Sequence, residues 1–172
     1  VLDEASKQRI IDFINLSECG IIRMNAEIEG VESSVSLGVI RLEGDKAVIL
    51  SMTRSSLESI YMDTYYKIVR LARLLNGTSY MMSNCPEWTF NPKSRIIDIF
   101  STTYRELFNK EPKISVLHAG LECGVIGKKI PEHVDMIAVG PDIRNLHSVG
   151  EYFTISSTQK FWQLFKAVLE KL

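Results

Sequence analysis

His118-Ala-Gly-Leu-Glu-Cys-Gly124, with Gly140-Pro-Asp-Ile-Arg-Asn-Leu-His-Ser148 downstream, are the stretches on which the reading of this 172-residue chain turns. Together they set glycines, two carboxylates, a thiol and two imidazoles into short polar segments that follow apolar runs. Ile114 to Leu117 and Met136 to Val139 read as buried strands. Both polar segments are therefore expected to be loops leaving one edge of a single sheet, where an α/β fold keeps its chemistry.

Working outward, Glu4 to Leu16 has apolar residues at helical spacing with Asp3 placed to cap it. Ile21 to Ile28, Ser34 to Leu42 and Lys46 to Thr53 read as strands, the last two joined by a Gly44-Asp45 hairpin turn. Ser55-Ser-Leu-Glu58 has the form of a capping box. The helix it opens carries Ile60, Tyr61, Ile68, Leu71, Ala72 and Leu75 on one face. Asn76-Gly77 supplies a left-handed stop, and Thr78 to Met82 is expected to return as a strand.

Two prolines within Asn84-Cys-Pro-Glu-Trp-Thr-Phe-Asn-Pro92 place a domain boundary there. Asn91-Pro92 then predicts a cap and first turn for a helix presenting Ile96, Ile97, Phe100, Tyr104, Leu107 and Phe108. Ser156-Ser-Thr-Gln159 predicts the cap of a last helix with Phe161, Trp162, Phe165, Val168 and Leu169 inward. The class is α/β (α+β), an open-faced sandwich over residues 1–90 and part of an α/β domain over 91–172. Two strands do not make a stable doubly covered sheet, so the second half reads as the end of a larger domain.

With 20 basic against 21 acidic residues, the chain offers no electrostatic footprint for nucleic acid or an anionic membrane. Three scattered cysteines, Cys19, Cys85 and Cys123, make neither a disulfide framework nor a thiolate zinc site, and a reducing cytoplasm is the expectation. No stretch reaches transmembrane length. Val1-Leu-Asp-Glu has no signal-peptide character, and the lack of an initiator Met suggests a processed or excised segment, the latter expected.

The two quoted stretches resemble, nearly residue for residue, the C-terminal signatures of the aminoacyl-histidine dipeptidases, carnosinase-like enzymes of the two-zinc aminopeptidase clan. The likeness is tight from about Pro86 to Ser148 and looser before it. It implies that residues 1–90 are the later part of a lid and dimerisation domain, and 91–172 the end of the catalytic domain. It also implies a cytoplasmic homodimer whose parent enzyme cleaves Xaa-His dipeptides with zinc-activated water.

Residue by residue, the resemblance makes His147, in the Gly-Pro…His-Ser loop, a zinc ligand. It makes Arg54, in Met52-Thr-Arg-Ser55, the reader of the dipeptide carboxylate, for which a planar, permanently charged fork is suited. Gly120 and Glu122 line the pocket, and His118 faces substrate or supports the site. Cys123 reads as packing, since nothing in the sequence would activate it. Relatives tend to carry Asn where Ser36 stands, a departure that weakens any role for Ser36. His133-Val-Asp135 has the clan's His-x-Asp form but falls at the wrong place, before an apolar run, and is not expected to ligate metal.

No Glu-Glu pair and no bridging aspartate motif occur, although a two-metal site needs a shared carboxylate and a base. The isolated chain is therefore expected to be inactive. The competing reading is a non-catalytic α/β module for dimerisation or small-ligand binding. It explains the absent ligands without truncation, but not the match of both loops to an enzyme.

Overall fold

The computed structural model describes residues 2–84, 86–130 and 134–172. Contacts divide the chain into two compact units. One is Val1–Phe90 with Ser115–Lys129, and the other is Asn91–Ile114 with Ile130–Leu172. A break falls at residue 90, but segment 115–129 belongs with the first unit rather than with a continuous 91–172 body.

In the first unit, α1 (Glu4–Leu16) begins where Asp3 Oδ1 accepts from the Ser6 N–H at 2.7 Å. Strands β1 (Gly20–Met24), β2 (Val31–Glu43) and β3 (Lys46–Ser55) form an antiparallel sheet in the order β1-β2-β3. Gly44, at φ +62°, makes the β2–β3 turn as expected. A register shift between Leu37 and Val39 puts a bulge at Gly38. Val35 is 2% exposed and lies on the sheet face opposite Ser34.

Helix α2 (Glu58–Leu74) follows. The expected capping box does not form: Leu57 is the cap residue and lends no side-chain bond. The Ser55 hydroxyl is instead held at the end of β3, bonded to Ser33 Oγ at 2.8 Å and to the Leu57 backbone. The stop is formed as expected, with Asn76 as the left-handed residue at φ +58°. The Gly77 N–H reaches Ala72 O at 2.7 Å and the Asn76 N–H reaches Arg73 O at 3.1 Å, a Schellman closure. Thr78 to Met82 does not return as a strand. Helix α4 (Glu122–Lys129) also lies in this unit, where a loop was expected.

In the second unit, α3 (Arg95–Phe108) is capped by Ser94, whose hydroxyl accepts from the Ile97 N–H at 3.2 Å, not by Asn91. Asn91 Oδ1 takes the Lys93 N–H in a turn ahead of the helix. A small ribbon pairs β4 (Ile143–Arg144) with β5 (Tyr152–Phe153). Helix α5 (Ile155–Leu169) starts from a Thr154 cap and packs on α3. Its inner stripe is Phe161, Phe165 and Val168, the last 1% exposed. Trp162 and Leu169 sit one residue round from that stripe, about 100° away on the helix, and are exposed rather than inward. Between the helices, Lys160 Nζ lies 5.0 and 4.5 Å from the Tyr104 and Phe108 ring centroids.

The expected strands Ile114 to Leu117 and Met136 to Val139 are not strands: neither joins a ladder among the described residues. Ile114, Leu117 and Val139 are exposed. An apolar run marks a segment that gains from burial, but a strand also needs a neighbour for its backbone groups. The two polar stretches consequently do not leave one sheet edge.

Candidate substrate-binding site

Register in the sheet sets Ser34 of β2 directly opposite Arg54 of β3, with Ile21 of β1 across from Ser34 on the other side. Directly paired residues share a sheet face, so the serine and arginine side chains stand as neighbours. Among the described residues Arg54 forms no ion pair. Its Nε donates to Met52 Sδ at 3.3 Å.

His118 is brought to this face by the segment ahead of it. A Cβ on Gly30 would stand 2.5 Å from Val116 Cγ2 and 2.6 Å from Val116 O, so only glycine permits that approach. Two residues on, His118 Nε2 and Ser34 Oγ are 2.6 Å apart. The imidazole is half-buried. Desolvation, and secondly the Arg54 charge, hold it below the usual imidazole range. The result is a ring of lowered basicity beside an arginine that has no carboxylate partner among the described residues, an arrangement suited to binding an anionic oxygen.

The rest of the run is placed by α4. Gly124 is buried, and a Cβ there would lie 2.5 Å from Pro86 O, so this glycine serves packing. Lys128 pairs with Glu87 at 2.9 Å, fixing the same helix to the same segment. Gly120 is exposed in the turn before α4, Glu122 is exposed in its first turn, and Cys123 is a half-buried free thiol. Ser36 shares the face of Ser34 two residues along β2 and pairs with Met52.

In the second unit, His147 lies in the β4–β5 loop at φ +63°, a left-handed position rare for a non-glycine residue. Its backbone N–H donates to Glu151 Oε2 at 2.7 Å. Asn145 holds the loop from within, its Nδ2 on Gly150 O and its own carbonyl on Ser148 Oγ. Among the described residues, no three His, Cys, Asp or Glu side chains gather where a metal would be held. The donor set here does not fit a zinc site by itself, and Glu151 is engaged by backbone.

His133 lies outside the described residues. Asp135, two positions on, serves the structure of the second unit. Its carboxylate takes the Ile96 N–H at 3.1 Å, the Ser94 hydroxyl at 2.9 Å and the Asn91 amide at 3.4 Å. Partial burial alone would raise its pKa, but these donors outweigh that and leave it below the ordinary carboxylate value. Sequence reasoning missed both Ser34 and Asp135. The only sequence signal for Ser34 was its place on the same strand face as Ser36.

No family model matches the chain. In fold it is similar to part of a solved aminopeptidase. Over 95% of its length it superposes on aminopeptidase PepT from Bacillus cereus ATCC 10987, with a TM-score of 0.70, covering 44% of that chain. At 16% identity this is a likeness of fold alone. Sequence and fold together narrow the likeness to dipeptidases. The chain is 33% identical to aminoacylhistidine dipeptidase from Vibrio alginolyticus, with a TM-score of 0.83 over 99% of this chain and 35% of that one. It is 31% identical over 168 residues to the cytosol non-specific dipeptidase of Escherichia coli K12, covering 97% of this chain and 34% of the relative. The resemblance read from the sequence is thereby shown, and the chain spans about a third of the length of these relatives. No helix among the described residues is long and apolar enough to cross a membrane.

Proposed function

We propose that the chain is the C-terminal part of a metal-dependent dipeptidase that hydrolyses Xaa-His dipeptides in the cytoplasm. The observation that carries this reading is the cluster of Arg54, Ser34 and His118, in which the guanidinium has no carboxylate partner among the described residues and an imidazole of lowered basicity stands beside it. Arg54 takes the dipeptide carboxylate and His118 adds a polar contact to it. Gly120 leaves room for substrate backbone, and Glu122, exposed at the start of α4, accepts the dipeptide amino group. His147 is one zinc ligand of the complete site, whose other ligands and base come from the remaining two thirds of the parent. The parent is a homodimer. Ile21, Leu42 and Met52 on the sheet, and Phe153, Ile155 and Trp162 in the second unit, are apolar side chains left exposed in this chain, as faces with a partner would be.

The test is hydrolysis of glycyl-histidine by the whole protein and by this chain, each with and without added zinc. Metal-dependent cleavage by the whole protein and none by the chain is expected. Inactivity of the whole protein sinks the dipeptidase reading, and activity of the chain alone sinks the divided site.

A further inference from the structure

The run carrying His118 needs something to decide which of its two ring nitrogens holds the proton, and the sheet provides one candidate. Ser34 Oγ stands 2.6 Å from Nε2, whereas Nδ1 has no hydrogen-bond partner among the described residues. A hydroxyl can donate or accept, so the bond alone leaves two arrangements. If Nε2 carried the hydrogen, Nδ1 would be a lone-pair acceptor, and an acceptor next to Arg54 would repel the anion that the arginine attracts. If the serine donates, Nε2 is the acceptor and Nδ1 keeps its hydrogen. Nδ1 and the remaining guanidinium N–H groups are then all donors, a consistent set for one anionic oxygen pair.

We propose that Ser34 is a positioning residue: its hydroxyl donates to His118 Nε2 and fixes the Nδ1–H tautomer, so that His118 and Arg54 together present N–H donors to a peptide carboxylate. The geometry that supports this is rigid at both ends. Ser34 lies in mid-strand, paired to Ile21 and Arg54, and Gly30 against Val116 sets the height of the histidine over the sheet. The depressed basicity of the ring agrees with a group that stays uncharged while it donates. The inference rests on the carboxylate-reading role given to Arg54 above, but its first test does not depend on catalysis.

The experiment is long-range 1H–15N correlation of the imidazoles in the 15N-labelled chain at neutral pH, with His118 assigned through His118→Gln. The expected pattern is a protonated Nδ1 and an unprotonated Nε2. Ser34→Ala should move the ring toward a mixture of tautomers, and Ser34→Thr, which keeps the hydroxyl, should restore it. An Nε2–H tautomer in the wild type overturns the proposal even if Ser34→Ala fails to fold, as does a tautomer indifferent to Ser34→Ala. Glycyl-histidine is then titrated against its C-terminal amide. The acid should shift Nδ1 more than the amide does, and Ser34→Ala should weaken the acid's binding about three- to tenfold, the range of one hydrogen bond. No response of Nδ1 to the acid overturns the donor role. An inactive whole protein with the tautomer and the acid response intact would instead count against the dipeptidase reading.

Discussion

Removing the carboxylate of Asp135 should destabilise the second unit by an amount that the geometry bounds. Two of its bonds are short, to the Ser94 hydroxyl at 2.9 Å and the Ile96 N–H at 3.1 Å, and the Asn91 contact at 3.4 Å is marginal. Hydrogen bonds to a charged group are worth about 1.5–3 kcal/mol each, and partial exposure argues for the lower end. Asp135→Ala should therefore cost about 2–3 kcal/mol, and Asp135→Asn about 1 kcal/mol because an amide oxygen still accepts one bond. Trp88 and Trp162 are the chain's two tryptophans, so a Trp88→Phe background makes Trp162 the reporter of urea unfolding in the second unit. The sign with pH is fixed. A carboxylate with a lowered native pKa contributes in full above its unfolded value of about 3.9, and the contribution is lost as pH falls through the native value. The gap between wild type and Asp135→Asn should thus be constant near neutrality and close on acidification. A loss below about 0.5 kcal/mol for Asp135→Ala, the range of an ordinary surface change, would refute the capping role.

Three further outcomes are expected. In the whole protein, Arg54→Met should lower kcat/KM for glycyl-histidine on the order of tenfold to a hundredfold, with a smaller loss for the dipeptide amide and little rescue by Arg54→Lys. Equal losses on acid and amide would show that Arg54 does not read the carboxylate. Gly30→Ala and Gly124→Ala each place a methyl about 2.5 Å from a neighbour, and should cost roughly 1–3 kcal/mol by chemical denaturation. Gly44→Ala, where nothing lies within 4 Å but φ is +62°, tests backbone strain alone and should cost about 1 kcal/mol. The chain should also self-associate at micromolar concentration in light scattering, because exposed side chains such as Leu42 and Trp162 each forfeit roughly 1.5–3 kcal/mol of burial. A strictly monomeric chain would contradict that.

What was legible in the sequence was what local chemistry decides. Asp3 before an amphipathic run, Gly44-Asp45 between alternating strands and Asn76-Gly77 after a helix each act within a few residues, and each forms as read. What misled was apolar content without a partner. Ile114 to Leu117 and Met136 to Val139 have strand composition, but no ladder exists for them among the described residues. Helix α4 was hidden for the opposite reason: Gly124 and Gly127 lower helix propensity, and the contact that makes Gly124 necessary lies at Pro86, far back in the chain. Asp135 shows in the sequence only as half of a His-x-Asp tripeptide, since its partners at Asn91, Ser94 and Ile96 are some forty residues away. Arg54 and His118 are singled out through resemblance, whereas Ser34, eighty-four positions before its partner, carried no signal of its own.

Segment 115–129 joins the first unit through four separate attachments: Gly30 against Val116, Ser34 on His118, Gly124 under Pro86 and Glu87 on Lys128. The proposed carboxylate-reading group is thus built on paired strands, whose register sets Ser34 opposite Arg54. His147 is held differently, in a short loop of the other unit closed by Asn145, Ser148 and Glu151, with its own backbone in a left-handed turn. Recognition and metal binding, on the reading proposed, therefore depend on separate local structures. Glu151→Gln weakens the charge-assisted bond to the His147 N–H without touching the sheet, and should disturb zinc binding by the whole protein while leaving the His118 tautomer unchanged. Ser34→Ala should do the reverse. If either substitution altered both readouts, the two parts of the site would be coupled through structure that the bonds within each unit do not supply.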